Sequence, residues 1–396
     1  MKTILFIVNN GRISQNENGG ASVYYSHLDL LFKLEYKIHL LVVLWNEKDI
    51  FDENYYSEVK NMVISIDFYK SINRSPSLNI KRIINALFYP AVFEYYFLNS
   101  ENKLFLINFI KNKKITYVWT EWRWAALWAN FSNLNIPIIY SHHDWEYKLA
   151  KLRKKRTLIE KFHTFQKKRV EINLVKKVRA CVSGSKTETN EIIITSKKKA
   201  LYLPTTYNSI NITLLPNINP KIVHLGGMGT TANRKGLERF IDVCWNKIKN
   251  KIPNVELWVI GSTKQAPITL LNKFKDSQII CKGFVRNLET VLFPEDIHII
   301  PWEYNTGTRT RVPVIFNNRQ VLVATKASVE AFPEIKSEKN AILCNNLDDM
   351  SKEIIELYKN KNKIKKLSNA GKQLFLERFT PDNCKKELKY FLDNLI

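Results

Sequence analysis

The chain has 396 residues, 45% hydrophobic, with a formal charge of +24 and a pI near 9.6. That length implies about two or three domains, and the apolar content is enough for full globular folding. The charge points to an acidic partner, whether nucleic acid, an anionic membrane surface or phosphorylated substrates, although abundant Lys, Asn and Ile also fit an AT-rich genome. Five cysteines, Cys181, Cys244, Cys281, Cys344 and Cys384, are odd in number and widely spaced. They argue against a disulfide framework, show no zinc spacing and fit a reducing compartment.

The opening MKTILFIVNN is too short an apolar run for a signal peptide or a membrane span and reads as a first strand, Thr3 to Val8. A loop then reaches Gly19, Gly20, Ala21 and Ser22 before a helical pattern through Tyr25, Leu28, Leu31 and Leu34, with a second strand at Lys37 to Trp45. Strand, glycine loop, helix, strand is the opening of a doubly wound α/β domain. Alternation continues with a strand at Met62 to Tyr69, helix over Ile80 to Ile110, and strands at Ile115 to Thr120 and Ile136 to His142. The aromatic stretch Lys81 to Leu98, basic at its start and interrupted at Pro90, is either a helix pair packed on the sheet or an interfacial membrane segment.

His142, His143, Asp144, Trp145 and Glu146 close a strand at its carboxyl end, where ligands gather in open α/β sheets, so His143 and Asp144 are candidate substrate contacts. Residues 148–179 carry thirteen Lys and Arg against Glu160 and Glu171. Leu149, Leu152, Ile159, Phe162 and Val170 interleave at helical spacing. The spacing predicts an amphipathic helix with one strongly positive face, either merely solvated or drawn to anionic lipid. Trp119, Trp122, Trp124 and Trp128 read as packing around a strand-to-helix transition. Between Pro204 and Pro220 the composition is that of a linker.

The second half repeats the grammar. A strand at Lys221 to Leu225 meets Gly226, Gly227 and Gly229, a helix covers Lys235 to Ile248, and strands run from Val255 to Gly261 and from Ile279 to Gly283. Ile297 to Pro301 is a buried strand followed by a turn with Asn305, Thr306, Gly307 and Thr308, where Arg309 and Arg311 offer forked donors for phosphate. Pro313 suits the first turn of a short helix, Asn318 suits a left-handed end, and Val321 to Ala324 resumes a strand. Arginines at a helix N-terminus make an anion site. With only 12 glycines in the chain, their clustering at strand ends is informative, and two sheets presenting such edges to each other would make an interdomain cleft.

These residues carry a resemblance over nearly the whole chain. The GGAS loop, HHDWEY, HLGGM followed by RKG at Arg234 to Gly236, VIGS, KGFV, GTRTR with VLVAT, and the tail ERFTPDNCKKELKYFLDNLI stand in order. The chain resembles a GT-B glycosyltransferase, most similar to the retaining family 4 enzymes. The resemblance implies α/β architecture with two Rossmann-like domains facing across a cleft. Residues 1–206 would form an acceptor domain, 207–378 a nucleotide-sugar domain, and 379–396 a C-terminal helix crossing back to the first. It implies a UDP- or GDP-linked sugar as donor substrate, with no separate cofactor and no metal, and a glycan or lipid-linked acceptor.

Carried over, Gly226 and Gly227 approach the diphosphate, Lys235 pairs with it beside Arg234, and Phe284, Val285 and Arg286 lie near the base. Gly307, Thr308, Arg309 and Arg311 border the phosphates, with Glu303 nearby, Gly19 and Gly20 opening the first domain, and His143 and Asp144 at the donor sugar. Two positions depart from the family: Val314 stands where a ribose-binding glutamate is usual, and Met228 where an arginine is usual. Arg309 and Arg311 are placed to compensate for both. The implied activity is a metal-independent, retaining transfer in bacterial surface polysaccharide synthesis, by a cytoplasmic protein peripheral on the inner face of the membrane. The rivals are a nucleic-acid or anionic-surface binding protein, a sugar-nucleotide epimerase, and an inactive homologue. No nucleic-acid recognition module is present.

Overall fold

The computed structural model describes residues 2–46, 48–72, 97–152, 156–211 and 219–395. It divides into two compact units, one of Met1–Pro204, Thr306–Thr308 and Cys384–Ile396, the other of Thr205–Asn305 and Arg309–Asn383.

In the first unit the elements are β1 (Thr3–Asn9), α1 (Gly19–Lys33), β2 (Lys37–Leu44), a 3₁₀ segment (Glu53–Met62), β3 (Ser65–Lys70), α2 (Ser100–Asn112), β4 (Tyr117–Glu121) and α3 (Trp122–Phe131). They continue with β5 (Ile138–His142), α4 (Glu146–Lys151), α5 (Leu158–Lys177), β6 (Ala180–Ser183), α6 (Lys186–Ser196) and β7 (Lys199–Tyr202). The strands pair in parallel in the order β3-β2-β1-β4-β5-β6-β7. Helices cover both faces of such a sheet, which is why Ile4 to Val8 is a continuous apolar run and wholly buried. Alternate residues serve opposite faces: Ile4, Phe6 and Val8 join one apolar cluster, Leu5 and Ile7 the other.

The second unit contains β8 (Ile222–Leu225), α7 (Thr231–Phe240), a π-turn (Ile241–Trp245), α8 (Asn246–Lys251), β9 (Leu257–Ile260), α9 (Ile268–Lys273), β10 (Ile279–Gly283) and β11 (Ile297–Ile300). Then come α10 (Arg311–Asn317), β12 (Val321–Thr325), α11 (Lys326–Val329), β13 (Ile342–Cys344), α12 (Leu347–Lys359) and α13 (Lys361–Arg378). Its parallel order is β10-β9-β8-β11-β12-β13. The last helix, α14 (Pro381–Asp393), sends Cys384, Leu388, Phe391 and Leu392 into the core of the first unit. There Arg179 holds the Leu395 carbonyl with Nε and Nη2 at 2.9 and 2.6 Å. Both units are therefore doubly wound, and the expected return of the C-terminal helix is present. In each sheet the strand order reverses once, between β1 and β4 and between β8 and β11, and such switch points are where open α/β sheets bind ligands.

Local departures from the sequence reading have physical causes. Gly19 and Gly20 are the first two residues of α1 rather than a loop, because the Asn18 side chain accepts from the Gly20 and Ala21 amides and caps the helix. Asn318 ends α10 at φ −83°, and Arg319 takes the left-handed conformation at φ +54°. The expected amphipathic helix is two helices, α4 and α5. Helix α5 buries Gln166, Val170, Glu171, Leu174 and Val175 while Leu158, Ile159, Phe162 and Phe165 face solvent. The basic run's Arg153, Lys154 and Lys155, most of the aromatic stretch from Lys81 to Leu98, and residues 212–218 of the linker lie outside the described residues. Among the described residues no helix is long and apolar enough to cross a membrane.

Gly261 illustrates how tightly the second unit closes at the end of β9. Its φ is +133°, and a β-carbon there would fall 2.6 Å from the Gly226 backbone. Gly261→Ala is expected to cost about 2–3 kcal/mol in urea unfolding, whereas Gly20→Ala, whose β-carbon would meet only the Asn18 side chain, changes stability by less than about 1 kcal/mol.

Candidate active site

In the first unit the site is built around Glu121, the last residue of β4, which is fully buried. Three donors converge on its carboxylate: Trp119 Nε1 at 2.8 Å and His27 Nδ1 at 2.7 Å on Oε1, and His143 Nε2 at 2.8 Å on Oε2. Burial pushes the Glu121 pKa up, but the His27 and His143 partners outweigh it and hold the group below the ordinary carboxylate range. An ionised carboxylate only accepts, so the proton on His143 sits on Nε2 and Nδ1 is left as the ring's other functional atom.

His142 and His143 diverge because neighbouring residues at a strand end point to opposite faces. His142 is buried, 3.3 Å from Glu188 Oε2 and against the Trp145 ring. His143 is half-buried between Tyr24 and Trp122, with ring centroids at 5.7 and 5.4 Å. Trp122 has φ +73°, an uncommon backbone conformation for a bulky side chain. Asp144 is half-buried, and Gly307, which clusters with this unit, has φ +61° and no room for a β-carbon, which would fall 1.8 Å from Asp144 Oδ1. A β-carbon on Gly184 would likewise meet Thr308 at 3.0 Å.

Arg311 is the corresponding centre of the second unit. It opens α10 after β11 and reaches across the switch point to donate from Nη1 to the Leu225 carbonyl at the end of β8. Gly226 is at φ +147°, and a β-carbon there would collide with Asn233 and stand 3.0 Å from Arg311 Nη1. The Gly226 amide donates to Ile260 O at 2.8 Å, so this residue can serve a ligand through its missing side chain rather than its N–H. Asn233 Nδ2 holds the Gly227 carbonyl at 3.1 Å and Arg234 Nη1 the Met228 carbonyl at 3.0 Å, which fixes the loop.

Arg311 is 8% exposed, and its Nε and Nη2 have no hydrogen-bond partner among the described residues. No ion pair there involves it either. Its inner neighbours are His224 and His298, both fully buried. Burial and then Arg311 push His224 well below its ordinary pKa. Burial drives His298 to about 3 against a hydrogen bond from Nδ1 to Gln320 Oε1, so both rings are neutral. Burial, and then Arg309, lower Arg311 to about 9, which leaves it charged at neutral pH. A buried cation without a counter-ion is costly, and positions of this kind cluster at functional sites.

The remaining expected residues are distributed around this centre. Lys235 is exposed on α7, one residue beyond the Arg234 that grips the loop. Glu303 pairs with Arg239 Nε at 2.7 Å. Phe284 and Arg286 are exposed after β10, and Val285 packs with the Val223, Ile260 and Leu292 cluster. Val314 packs against apolar clusters where the family's glutamate would stand. Among the described residues no group of His, Cys, Asp and Glu could hold a metal ion. Glu121, His27, His224 and His298 escaped the sequence reading. His27 and Glu121 are 94 positions apart, and only the pairing of β4 beside β1 brings α1 to them.

Residues 219–360 match the family model described as Glycosyl transferases group 1, so the second unit carries a domain of that family. No curated protein matches the chain. Among solved structures, Anabaena Alr3699/HepE in complex with UDP and glucose superposes with a TM-score of 0.68 at 11% identity, covering 100% of both chains. A mutant of Staphylococcus aureus TarM, in complex with fondaparinux, alpha-GlcNAc-glycerol and UDP, gives 0.70 at 10% identity over 99% of each. A glycosyltransferase from Rickettsia africae gives 0.64 at 14% identity over 99% of this chain and 98% of that one. The fold is that of these GT-B proteins.

Two outcomes test the two centres. Glu121 stabilises the fold above its ordinary pKa near 4.5, and that contribution is lost as pH falls through the depressed folded value. Thermal unfolding from about pH 5 to 3 is therefore expected to fall more steeply in the native protein than in Glu121→Gln, which costs about 3 kcal/mol at neutral pH. Arg311→Met removes an uncompensated buried charge and is expected to raise the stability of the ligand-free protein by about 1–2 kcal/mol in urea unfolding.

Proposed function

We propose that this chain, a glycosyltransferase whose second unit is a group 1 domain, moves a sugar from a nucleoside-diphosphate donor without a metal ion. The observation that carries the reading is Arg311, a buried cation with no carboxylate pairing it among the described residues, lying beneath the glycine loop at a switch point. A diphosphate supplies the missing counter-charge. Arg309, Arg311 and Lys235 are the groups we assign to it, with Gly226 and Gly227 leaving room for close approach. UDP is the first candidate nucleotide, because HepE is described with UDP and with UDP-glucose.

In the reaction the bond from the sugar's anomeric carbon to the diphosphate oxygen breaks, and a bond from that carbon to an acceptor hydroxyl oxygen forms. The hydroxyl proton passes to the departing phosphate. The arginines stabilise the negative charge that develops on the leaving group, which is the largest demand of the step. That charge is the work a divalent metal would otherwise do. Because the phosphate serves as base, no protein nucleophile is required, and retention of configuration follows from the same-face exchange. To His143, fixed by Glu121, we assign a hydrogen bond from a sugar hydroxyl.

The acceptor is proposed to be a glycan or a lipid-linked glycan of surface polysaccharide synthesis. Support comes from α5, where exposed Leu158, Ile159, Phe162 and Phe165 accompany exposed Lys161 and Lys168. Apolar anchors beside lysines suit the boundary of an anionic bilayer.

With UDP at a hundredfold its Kd, thermal unfolding is expected to report about 2.7 kcal/mol of stabilisation, unchanged by EDTA and absent in Arg311→Met. Loss of the effect in EDTA would contradict the metal-free reading. Phosphatidylglycerol vesicles are expected to co-sediment the protein at low salt and to release it at high salt, with weaker retention of Phe162→Ser. Equal binding to phosphatidylcholine vesicles would remove the lipid assignment.

A further inference from the structure

The first unit contains a pocket of about 560 Å³ at its own switch point, within the size range of small-ligand sites, about 300–1,000 Å³. Asn9 and Asn10 follow from β1, Trp45 and Asn46 from β2, Trp122 to Trp124 open α3, and α5 closes the side with Lys167. The geometry points to this pocket as the seat of an uncharged saccharide, the acceptor's reacting end, an inference that rests on the glycosyltransferase reading above.

Three observations carry it. First, indole rings and side-chain amides line the same space: Trp122 and Trp124 are half-buried, and Asn9, Asn10 and Asn46 stand beside them. A sugar ring presents a C–H face that packs on an indole and hydroxyls that both donate and accept, and the amide offers both roles.

Second, the pocket's charges are already neutralised by one another. Arg123 Nη1 lies 3.1 Å from Glu146 Oε2 and 3.4 Å from Glu171 Oε1, and Lys167 Nζ lies 3.0 Å from Glu146 Oε2. A phosphate entering here would have to compete with two carboxylates for these cations, whereas a neutral polyol can hydrogen-bond to the paired groups without separating them. This is the reverse of the Arg311 environment, where the cation lacks an ion-pair partner among the described residues.

Third, Trp122 joins the pocket to His143. Its φ of +73° is a strained conformation that a tryptophan keeps only where the surroundings hold it, and its ring both lines the pocket and lies 5.4 Å from the His143 ring. A saccharide stacked in the pocket is thereby brought next to the imidazole assigned to sugar hydroxyls.

The test is saturation-transfer NMR on the full chain with methyl α-glucoside, methyl α-galactoside and methyl N-acetyl-α-glucosaminide, and with glycerol 1-phosphate as the charged probe. At least one glycoside should receive transfer, reduced fivefold or more in Trp122→Gly, where glycine accepts the positive φ, and in Trp124→Ala. Glycerol 1-phosphate should receive none that depends on these residues. Folding of each variant is checked by its thermal unfolding transition. Absence of transfer to every glycoside, transfer indifferent to both substitutions, or preferential transfer to glycerol 1-phosphate that both substitutions abolish would each overturn the assignment. UDP-induced stabilisation of the native protein, measured on the same sample, reads the donor site independently. A chain that responds to UDP but to no glycoside fails this inference alone, and one silent to UDP fails the reading beneath it.

Discussion

The second unit is organised around an unbalanced charge. Folding places the Arg311 guanidinium under a glycine loop, beside two imidazoles that burial keeps neutral, with no carboxylate paired to it among the described residues. A protein selected only for stability would place an apolar side chain there, since an isolated buried charge is among the costliest features a core can hold. Other details of the loop follow from accommodating it. Gly226 lacks a side chain where one would meet Asn233 and Arg311, and Asn233 and Arg234 tie down successive loop carbonyls. An anion that arrives with its own two negative charges completes this site.

The first unit solves the opposite problem. Its buried charge, Glu121, is satisfied from within by Trp119, His27 and His143. A satisfied network is rigid, and its product is a histidine of defined tautomer rather than an affinity for ions. The neighbouring ions Arg123, Lys167, Glu146 and Glu171 are likewise paired among themselves. One switch point thus exposes unspent charge and the other presents aromatic and amide groups, a division of labour suited to a charged donor and a polyol acceptor.

Most of the architecture was legible because its signals are local. Continuous apolar runs mark buried parallel strands, and in a chain with only 12 glycines those at Gly226, Gly261 and Gly283 fall at strand ends. What stayed hidden depends on long-range placement. Glu121 reads as one more residue of an apolar strand until β4 settles beside β1 and brings α1 to it. Trp122 and Trp124 read as packing, and the first becomes a pocket wall only because its backbone turns to positive φ. The apolar residues of α5 were expected to face inward. Their register is set instead by Val170, Leu174 and Val175 further along the helix, which leaves Leu158 and Phe162 outside.

The most direct test of the account is ³¹P NMR of UDP titrated with the native protein and with Arg311→Met at neutral pH. The account predicts that both phosphorus resonances shift and broaden with the native protein and remain at their free positions with the variant. Phosphorus resonances that respond equally to both proteins, or uracil signals that respond while the phosphates do not, would contradict the claim that the buried arginine is the seat of the diphosphate.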